Sequence, residues 1–498
     1  MSAYKELETR FRRMGALGQA TGMLHWDMSV MMPPGGAAAR AEQLAVLKVL
    51  AHEMLTHPAL GELLDKASGE QGLDDWQRAN LHEMRRSWLH ATAVPAALVE
   101  ALTKASAASE QVWRLARPAA DFKMLLPYMA EVLRLSRETA KVKAARLDLG
   151  LYDALLDQYE PGMRSARIDA LFGGLAEFLP GFLARAMEAQ AKRPPIQKLP
   201  GPFPAEKQRA LGRQLMQALG FDFAHGRLDE SAHPFTGGIP DDVRITTRYD
   251  EDDFTRGLMG VLHETGHALY ERGLPTRWRL QPVGDARGMA LHESQSLLME
   301  MQACRSRGFV HFAAPLMRAA FDGIGPPWDA ENVYRLYTRV EPGFIRVDAD
   351  EVTYPAHVIL RYRLERAMIA GDLDLADLPG AWNDGMKALL GITPPDDRLG
   401  CLQDIHWPDG AWGYFPTYTL GALAAAQLFQ AAKRAEPAIE PGIARGDFRP
   451  LLAWLAANVH AKGSRATTDE IMQEATGAKL GDAAFRAHLQ SRYIDDRG

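Results

Sequence analysis

Two histidines and a glutamate in the middle of the chain have a spacing that suits metal chemistry. The segment Val261–Leu269 reads Val-Leu-His-Glu-Thr-Gly-His-Ala-Leu, so His263 and His267 are four residues apart. One turn of an α-helix would place both imidazoles on the same side, with Glu264 beside them. In sites of this HExxH type the two histidines bind zinc and the glutamate acts as a general base. The segment therefore predicts a hydrolytic metal centre.

The residues around this segment predict the helix that the metal centre needs. The acidic run 250–253 suits a helix start, where capping and the helix dipole favour carboxylates, and Gly273-Leu-Pro275 suits its end. Gly266 in the helix interior costs about 1 kcal/mol relative to alanine, so we expect another segment to pack closely against it. The histidines lie roughly opposite the face that we expect to be buried, which consists of Leu258, Val261, Leu262, Thr265 and Leu269.

A third protein ligand is needed, because catalytic zinc binds three side chains and keeps one position open for water or substrate. Residues 289–301 are also predicted to be helical, and Glu293 lies in the first turn, 26 residues after His267. We favour Glu293 as this ligand. Glu300, two turns along the same face, is interpreted either as a carboxylate that supports a ligand or as a solvated residue. The remaining rivals are Asp285, Asp348 and Asp350.

The segment before the metal-binding helix, Asp242–Tyr249, is the strongest strand candidate of the chain, because it concentrates β-branched and aromatic residues. A strand in this place could be the edge along which an extended peptide pairs through its main chain. A purely structural strand explains the pattern equally well, and the spacing of the residues does not decide between the two interpretations.

Composition indicates a globular protein with a substantial core. The chain has 498 residues, of which 47% are hydrophobic and 24% charged, and its net charge of -6 gives no electrostatic reason to expect nucleic acid or an anionic membrane. The two cysteines, Cys304 and Cys401, do not provide a disulfide framework and fit a reducing cytoplasm. We find no signal-peptide pattern and no uninterrupted apolar window of membrane-spanning length. The nearest window, Tyr418–Ala432, is predicted to be a buried helix.

The chain is predicted to form one domain with two lobes. We expect residues 1–200 to form a helical lobe and residues 201–498 to carry the metal site, with the proline-rich segment 193–204 as the link between them. Residues 400–418 are aromatic, glycine-rich and non-periodic. A loop of this composition favours substrate contact, and it contains His406, Tyr414 and Tyr418.

The ordered motifs resemble those of the carboxypeptidase Taq family of metallocarboxypeptidases. In the first half, Leu24-His-Trp-Asp27 and the Met-Pro-Pro-Gly-Gly stretch ending at Gly36 look like family features, so the resemblance covers the full length. The second half carries the more specific series, which consists of His233-Pro-Phe235, the Asp-x-Arg-x-Thr element 242–246, His263–His267, His292-Glu-Ser-Gln295, Ile345-Arg-x-x-Ala-Asp350 and Gly400-x-x-Gln-Asp-x-His-Trp407.

This resemblance implies a mainly α fold, similar to neurolysin and angiotensin-converting enzyme. The expected architecture is a single large helical fold with two lobes around a deep groove and a small β-sheet beside the HExxH helix. The implied activity is the release of the C-terminal residue from peptides, with broad side-chain preference. The implied metal is zinc, with cobalt as an alternative, and the implied assembly is a homodimer that acts on peptides with a free C-terminus.

The resemblance and the site chemistry together assign roles to individual residues. We expect Glu264 to be the general base and expect Tyr418 and His406 to stabilise the oxyanion, with the choice between Tyr418 and Tyr414 left open. Arg346 is the first choice for binding the terminal carboxylate, and Arg244 is the second. The further substrate contacts are Arg244, Asp242 and Tyr414.

Two other functions remain as alternatives at this point. An endo-acting oligopeptidase would use the same metal site and need no carboxylate anchor. A non-catalytic helical peptide-binding protein would hold a structural metal, although such a site has no use for an unliganded carboxylate such as Glu264.

Overall fold

Helices make up most of the protein, as expected for a mainly α fold. The computed structural model describes residues 2–231 and 234–495, so His233 of the His-Pro-Phe motif lies outside the described residues. Short 3-10 turns and the π-helical segments Leu298–Ala303 and Gln490–Asp495 complete the helical structure. The α-helices, in chain order, are α1 Ala3–Val30, α2 Ala37–Thr56, α3 Pro58–Ser68, α4 Asp75–Ala93, α5 Ala96–Ala119, α6 Phe122–Leu147, α7 Leu151–Leu156, α8 Ser165–Ala191, α9 Ala205–Ala218, α10 Phe254–Gly273, α11 Met289–Leu297, α12 Arg307–Ala320, α13 Ala330–Tyr337, α14 Tyr354–Ala370, α15 Leu378–Leu390, α16 Pro416–Ala435, α17 Ile439–Ile443, α18 Arg449–Asn458, α19 Thr468–Thr476 and α20 Ala483–Leu489.

A three-stranded sheet lies beside α10. Its strands are β1 Gly226–Glu230, β2 Thr236–Ile239 and β3 Asp242–Thr247, and β3 is central, parallel to β1 and antiparallel to β2. The predicted strand is therefore confirmed for Asp242–Thr247. The interpretation of this strand as a peptide-binding edge is wrong, because neighbouring strands pair with both of its sides. In the described part of the sheet, β2 is an edge strand.

The sheet packs against α9 and α10 through its apolar face. Leu228 of β1 and Val243 and Ile245 of β3 form a small core with Met216 of α9 and Val261 of α10. Alternation along β3 explains this contact, since residues two apart in a strand point to the same face. The sheet is thereby fixed to the helix that carries the two histidines.

The proline-rich segment 193–204 has no regular structure, as predicted, but part of it is anchored in the core. Leu199 and Phe203 are buried. The backbone N–H of Phe203 donates to the carbonyl oxygen of Glu251 at 2.8 Å, and its ring lies 4.9 Å from that of Phe254 at the start of α10. The main hydrophobic core contains residues from both sides of this segment, and α1, α3 and α4 form a second, smaller core.

One described helix, α8, has the length and average hydropathy of a membrane-crossing helix. Its 18-residue window has a mean hydropathy of 1.2. Phe172, Leu175 and Phe182 of this helix are buried in the main core. Because a core helix passes the same test, these properties of α8 are weak evidence for a membrane span.

Candidate active site

Helix α10 presents its two histidines as the sequence predicted. The helix begins after Asp253, whose carboxylate accepts a hydrogen bond from the backbone N–H of Thr255 at 2.9 Å. Leu258, Val261, Leu262 and Thr265 are buried. The side chains of His263 and His267 are 20% and 12% exposed, so they lie on the more accessible side of the helix.

Two glycines allow the helices around the histidines to approach closely. A Cβ atom on Gly266 of α10 would collide with the carbonyl oxygen of Gln295 and would lie 2.7 Å from the Cα of Ser296. A Cβ atom on Gly421 of α16 would lie 2.8 Å from the Cβ of Glu293. Helix α11 is therefore packed between α10 and α16 at the level of Glu293. The expected close packing at Gly266 is confirmed.

The structure brings Glu293 to the two histidines. The ligand atoms of His263, His267 and Glu293 lie within 4.8 Å of one another. The Glu293 Oε2 atom is 3.3 Å from Nε2 of His267 and 3.9 Å from Nε2 of His263. Two imidazole nitrogens and one carboxylate are a donor set that suits a divalent cation such as zinc.

Two of the rival carboxylates are engaged elsewhere. Asp348 forms an ion pair with Arg256 at 3.1 Å. The carboxylate of Asp350 accepts hydrogen bonds from backbone N–H groups, including that of Glu341 at 3.0 Å. Among the described residues, the cluster suited to a metal contains Glu293 and neither Asp285, Asp348 nor Asp350.

Each histidine is oriented through its other ring nitrogen. Nδ1 of His263 lies 2.9 Å from Oε2 of Glu300, and Nδ1 of His267 lies 3.1 Å from the carbonyl oxygen of His292. Both Nδ1 atoms are thus placed to donate, so Nε2 of each ring, which faces Glu293, is the nitrogen that would bind a metal. Glu300 therefore supports a histidine, which is one of the two interpretations that the sequence left open. Arg305 forms an ion pair with Glu300.

The charges of the cluster are strongly coupled. Burial lowers the pKa of the His263 imidazole, but the neighbouring Glu293 and Glu300 carboxylates outweigh burial and raise it to about 10. Burial would raise the pKa of Glu293, but His263 and His267 hold it at about 2. The carboxylate of Glu293 is therefore ionised at neutral pH, as a metal ligand must be.

Glu264 is held next to this cluster by the sheet. It is 8% exposed, and its Oε2 atom accepts a hydrogen bond from the hydroxyl of Thr236 in β2 at 2.6 Å. Sequence reasoning missed Thr236, because its contact depends on how the sheet packs against α10. Its only sequence signal was its place directly after the His-Pro-Phe motif.

The predicted aromatic residues of the 400–418 segment lie together. Nε2 of His406 is 3.0 Å from the hydroxyl oxygen of Tyr418, and the ring centroids of Tyr414 and Tyr418 are 5.2 Å apart. Burial raises the pKa of Tyr418 to about 12, with Arg346 opposing and Glu293 assisting the rise. Burial lowers the pKa of His406 to about 3. At neutral pH the phenol is therefore protonated and the imidazole is neutral.

Arg346 lies in a buried cluster of charges beside Tyr418. Its Nε and Nη2 atoms donate to Oδ1 of Asp404 at 3.1 and 2.8 Å, and its guanidinium is 4.7 Å from the Tyr418 ring centroid. The other oxygen of Asp404 accepts from Nε of Arg361 at 2.6 Å. One carboxylate is shared by two guanidiniums, so the cluster keeps one positive charge. Asp404 belongs to the Gly400–Trp407 motif, but the sequence indicated no role for it or for Arg361.

Arg244 and Asp242 are paired with each other on β3. Nε and Nη2 of Arg244 donate to the two carboxylate oxygens of Asp242 at 3.0 and 2.6 Å. The Arg244 guanidinium also lies 4.5 Å from the ring centroid of Trp26 of α1, a contact that sequence reasoning missed. In the sheet register Arg244 stands opposite Gly237, the neighbour of Thr236. This pair is therefore one strand away from the contact that holds Glu264.

Comparisons with known proteins agree over the whole chain. The family model for the carboxypeptidase Taq (M32) metallopeptidases matches residues 6–493. Thermostable carboxypeptidase 1 of Thermus thermophilus is 41% identical to this chain, and the match covers 99% of this chain and 98% of the relative. Thermostable carboxypeptidase 1 of Pyrococcus furiosus is 35% identical, and the match covers 98% of this chain and 98% of the relative. The solved structure of Trypanosoma cruzi metallocarboxypeptidase 1 superposes with a TM-score of 0.97 at 42% identity, covering 99% of both chains. The chain therefore belongs to the carboxypeptidase Taq (M32) family and is a metallocarboxypeptidase.

Proposed function

We propose that this enzyme removes single residues from the free C-terminus of peptides, with broad side-chain preference and with zinc as its metal. The observation that carries the proposal is the arrangement of two sites around Tyr418. Glu293 of the metal-ligand cluster is near enough for its charge to help raise the pKa of the Tyr418 phenol. The guanidinium of Arg346, which suits a terminal carboxylate, lies 4.7 Å from the ring centroid of the same tyrosine.

Glu264 is the proposed general base. His263, His267 and Glu293 would hold zinc, or cobalt in its place, and the bound metal would supply a Lewis acid that polarises the scissile carbonyl and makes water more acidic. Glu264 takes the proton from the attacking water and later delivers it to the leaving amine. The hydrogen bond from Thr236 holds the Glu264 carboxylate in position for both transfers.

Tyr418 is the proposed donor to the oxyanion that forms during hydrolysis. Its phenol stays protonated at neutral pH, so it can donate a hydrogen bond to the developing negative charge. His406 orients this hydroxyl through its Nε2 atom. Tyr414 packs against Tyr418 and lines the same substrate site as the second candidate.

The substrate is proposed to be anchored at its carboxylate and aligned along β2. The positive charge that remains in the cluster of Arg346, Asp404 and Arg361 attracts the carboxylate, with Arg346 as the contact. Edge strands offer free main-chain groups, so β2 is the proposed strand for the peptide backbone. The pair of Arg244 and Asp242 on β3 is proposed to contact the substrate beyond this strand.

The larger organisation of the enzyme is also a proposal. Two lobes around a deep groove, in an architecture like that of neurolysin and angiotensin-converting enzyme, would give peptides access to the metal centre. We propose a homodimer in the cytoplasm. The two buried free thiols, Cys304 and Cys401, support a reducing compartment.

The variant Glu264→Gln tests the proposed chemistry. Glutamine keeps the size of the side chain but cannot accept the proton, so we expect the rate to fall by about 10² to 10⁴-fold while bound zinc stays at the wild-type level. Zinc content and peptide hydrolysis are measured on the same preparation, with the exposed-site variant Glu62→Gln as control. Full activity in a zinc-loaded Glu264→Gln enzyme would refute this mechanism.

A further inference from the structure

A cavity of about 290 Å³ lies between the N-terminal helices and the 400–418 segment, and its wall contains none of the three residues of the metal-ligand cluster. Helices α4, α5 and α6 form most of its wall, and Gly410 and Trp412 close it on the side of the 400–418 segment. We call it the Lys143 cavity, after the one lysine in its wall. Its volume is near the lower end, about 300 Å³, of the range for small-molecule sites.

Lys143 of α6 is a buried cation with a neutral partner. The residue is 6% exposed, and its Nζ atom donates to Oε1 of Gln158 at 2.6 Å. No carboxylate of the described residues forms an ion pair with it. Burial lowers the pKa of its ammonium to about 8, with the charge of Asp157 opposing the fall, so the group is mostly protonated at pH 7. A buried charge of this kind is costly unless an opposite charge joins it.

The neighbouring carboxylates are already used by other cations. Asp157 accepts from Nη1 of Arg164 at 3.2 Å and lies 3.8 Å from Nη1 of Arg86. Glu83 is shared by Arg86 and Arg287. Both carboxylates are thus paired with guanidiniums, and neither forms an ion pair with the Lys143 ammonium.

Unpartnered polar atoms belong to residues in the wall of the same cavity. Ser136 and Thr139 line the cavity on the same side of α6 as Lys143, and the hydroxyls of both are buried without a hydrogen-bond partner among the described residues. Nδ1 of His90 and Nε1 of Trp412, also in the wall, are unpartnered in the same way. Buried polar groups normally have partners, so a ligand that accepts hydrogen bonds would satisfy the two hydroxyls and the indole N–H of Trp412.

Part of the wall is apolar. Val94, Leu102 and Leu155 line the cavity opposite or beside the polar groups. The ligand that fits is therefore a small molecule with an anionic, hydrogen-bond-accepting head and an apolar body. We propose that the Lys143 cavity binds a small organic carboxylate with an apolar side chain, whose carboxylate is received by Lys143, Ser136 and Thr139.

The site is separate from the catalytic centre but shares a wall with it. Tyr159 lines the cavity, and its ring packs edge-on against that of Tyr414 with centroids 5.0 Å apart. Two sources share the proposed ligand chemistry, namely an apolar amino acid released by a peptidase and a free short-chain acid. The proposal does not depend on the peptidase mechanism.

Calorimetric titration of the metal-loaded enzyme at pH 7 tests the site. The probes are 4-methylpentanoate, L-leucine and the neutral amide 4-methylpentanamide. We expect at least one carboxylate to bind at least tenfold more tightly than the amide. Binding of 4-methylpentanoate alone indicates free acids as the ligand class, binding of leucine alone indicates released amino acids, and binding of both indicates recognition of the carboxylate and apolar body.

Variants decide where the carboxylate binds. Lys143→Met should weaken carboxylate binding at least tenfold, whereas Lys141→Met, at an exposed position of the same helix, should leave it unchanged. Ser136→Val narrows the cavity without removing the buried charge, and it should also weaken carboxylate binding. This variant tests the site if Lys143→Met does not fold. The proposal is overturned if neither carboxylate binds to the wild type. It is also overturned if the wild type and the folded cavity variant bind the carboxylate equally well, because that binding would then belong to the catalytic centre.

Discussion

The Nδ1 atom of His263 lies 2.9 Å from Oε2 of Glu300, and the Nε2 atom of the same ring faces Glu293. A histidine that donates from Nδ1 to a carboxylate is fixed in the tautomer that offers Nε2 to a metal. Arg305 binds Glu300 in turn, so the orientation of one proposed ligand depends on a chain of two charged residues behind it.

Replacing Glu300 tests whether this chain supports metal binding. Glu300→Gln removes the charge that holds the His263 N–H and leaves Arg305 without its carboxylate, so we expect zinc affinity to fall by about 10 to 100-fold. Competition with a chelator of known affinity measures the change, and Glu53→Gln at an exposed position is the control. Wild-type affinity in Glu300→Gln would show that the carboxylate is not needed to orient the histidine.

Gly266→Ala tests the contact between α10 and α11. The added methyl group meets backbone atoms of Gln295 and Ser296, which cannot move aside as a side-chain end can. We expect a loss of about 1 to 3 kcal/mol in the free energy of unfolding, which exceeds the gain of about 1 kcal/mol from better helix propensity. The matched control is Gly260→Ala in the same helix, where nothing lies within 4 Å of the new atom.

Chemical denaturation of the two metal-loaded variants measures this difference. The control should be as stable as the wild type or more stable by up to about 1 kcal/mol. A Gly266→Ala protein that equals its control in stability would mean that the two helices do not meet as described.

Tyr418→Phe tests the proposed oxyanion donor. Loss of one donor of this kind lowers kcat by about 10² to 10³-fold, and we expect KM to change little because the charge develops only in the transition state. Tyr414→Phe is the comparison, and its effect should be smaller because the hydroxyl bonded to His406 is that of Tyr418. Steady-state kinetics decide the assignment, and a larger loss of kcat in Tyr414→Phe would reverse it.

Arg346→Gln tests the carboxylate anchor. The substitution removes one of the two guanidiniums that share Asp404, so the net charge of the cluster falls from one positive charge to zero. Hydrogen bonds to charged groups contribute about 1.5 to 3 kcal/mol, so we expect KM for peptides with a free C-terminus to rise by about 10 to 100-fold. Zinc content should stay unchanged. An unaltered KM would exclude Arg346 from the substrate site.

The features that sequence predicted best are those set by local spacing. The His263 to His267 interval and the acidic residues before α10 are enough to predict the helix, its start and the side that carries the histidines. Gly266 predicted a close contact, because glycine in a helix interior is less stable than alanine and is better explained if another segment packs against it. Each of these inferences uses only the geometry of one helix.

The features that sequence missed depend on contacts between distant segments. The sequence left open whether β3 is an edge strand, because β1, which pairs with it in parallel, has few residues typical of strands. The hydrogen bond from Thr236 to Glu264, and the sharing of Asp404 by two arginines, join residues that are 28 and 43 or more positions apart. No periodicity within one segment reports such pairings.

The most direct test of the proposed function compares one peptide in two forms, with a free C-terminal carboxylate and with a C-terminal amide. Mass spectrometry of the products formed by the zinc-loaded enzyme identifies which bonds are cut. We predict stepwise loss of single residues from the free acid and no cleavage of the amide, because the amide offers no negative charge to Arg346. Cleavage of the amide at internal bonds, at a rate similar to that of the free acid, would contradict the account and identify an endo-acting oligopeptidase.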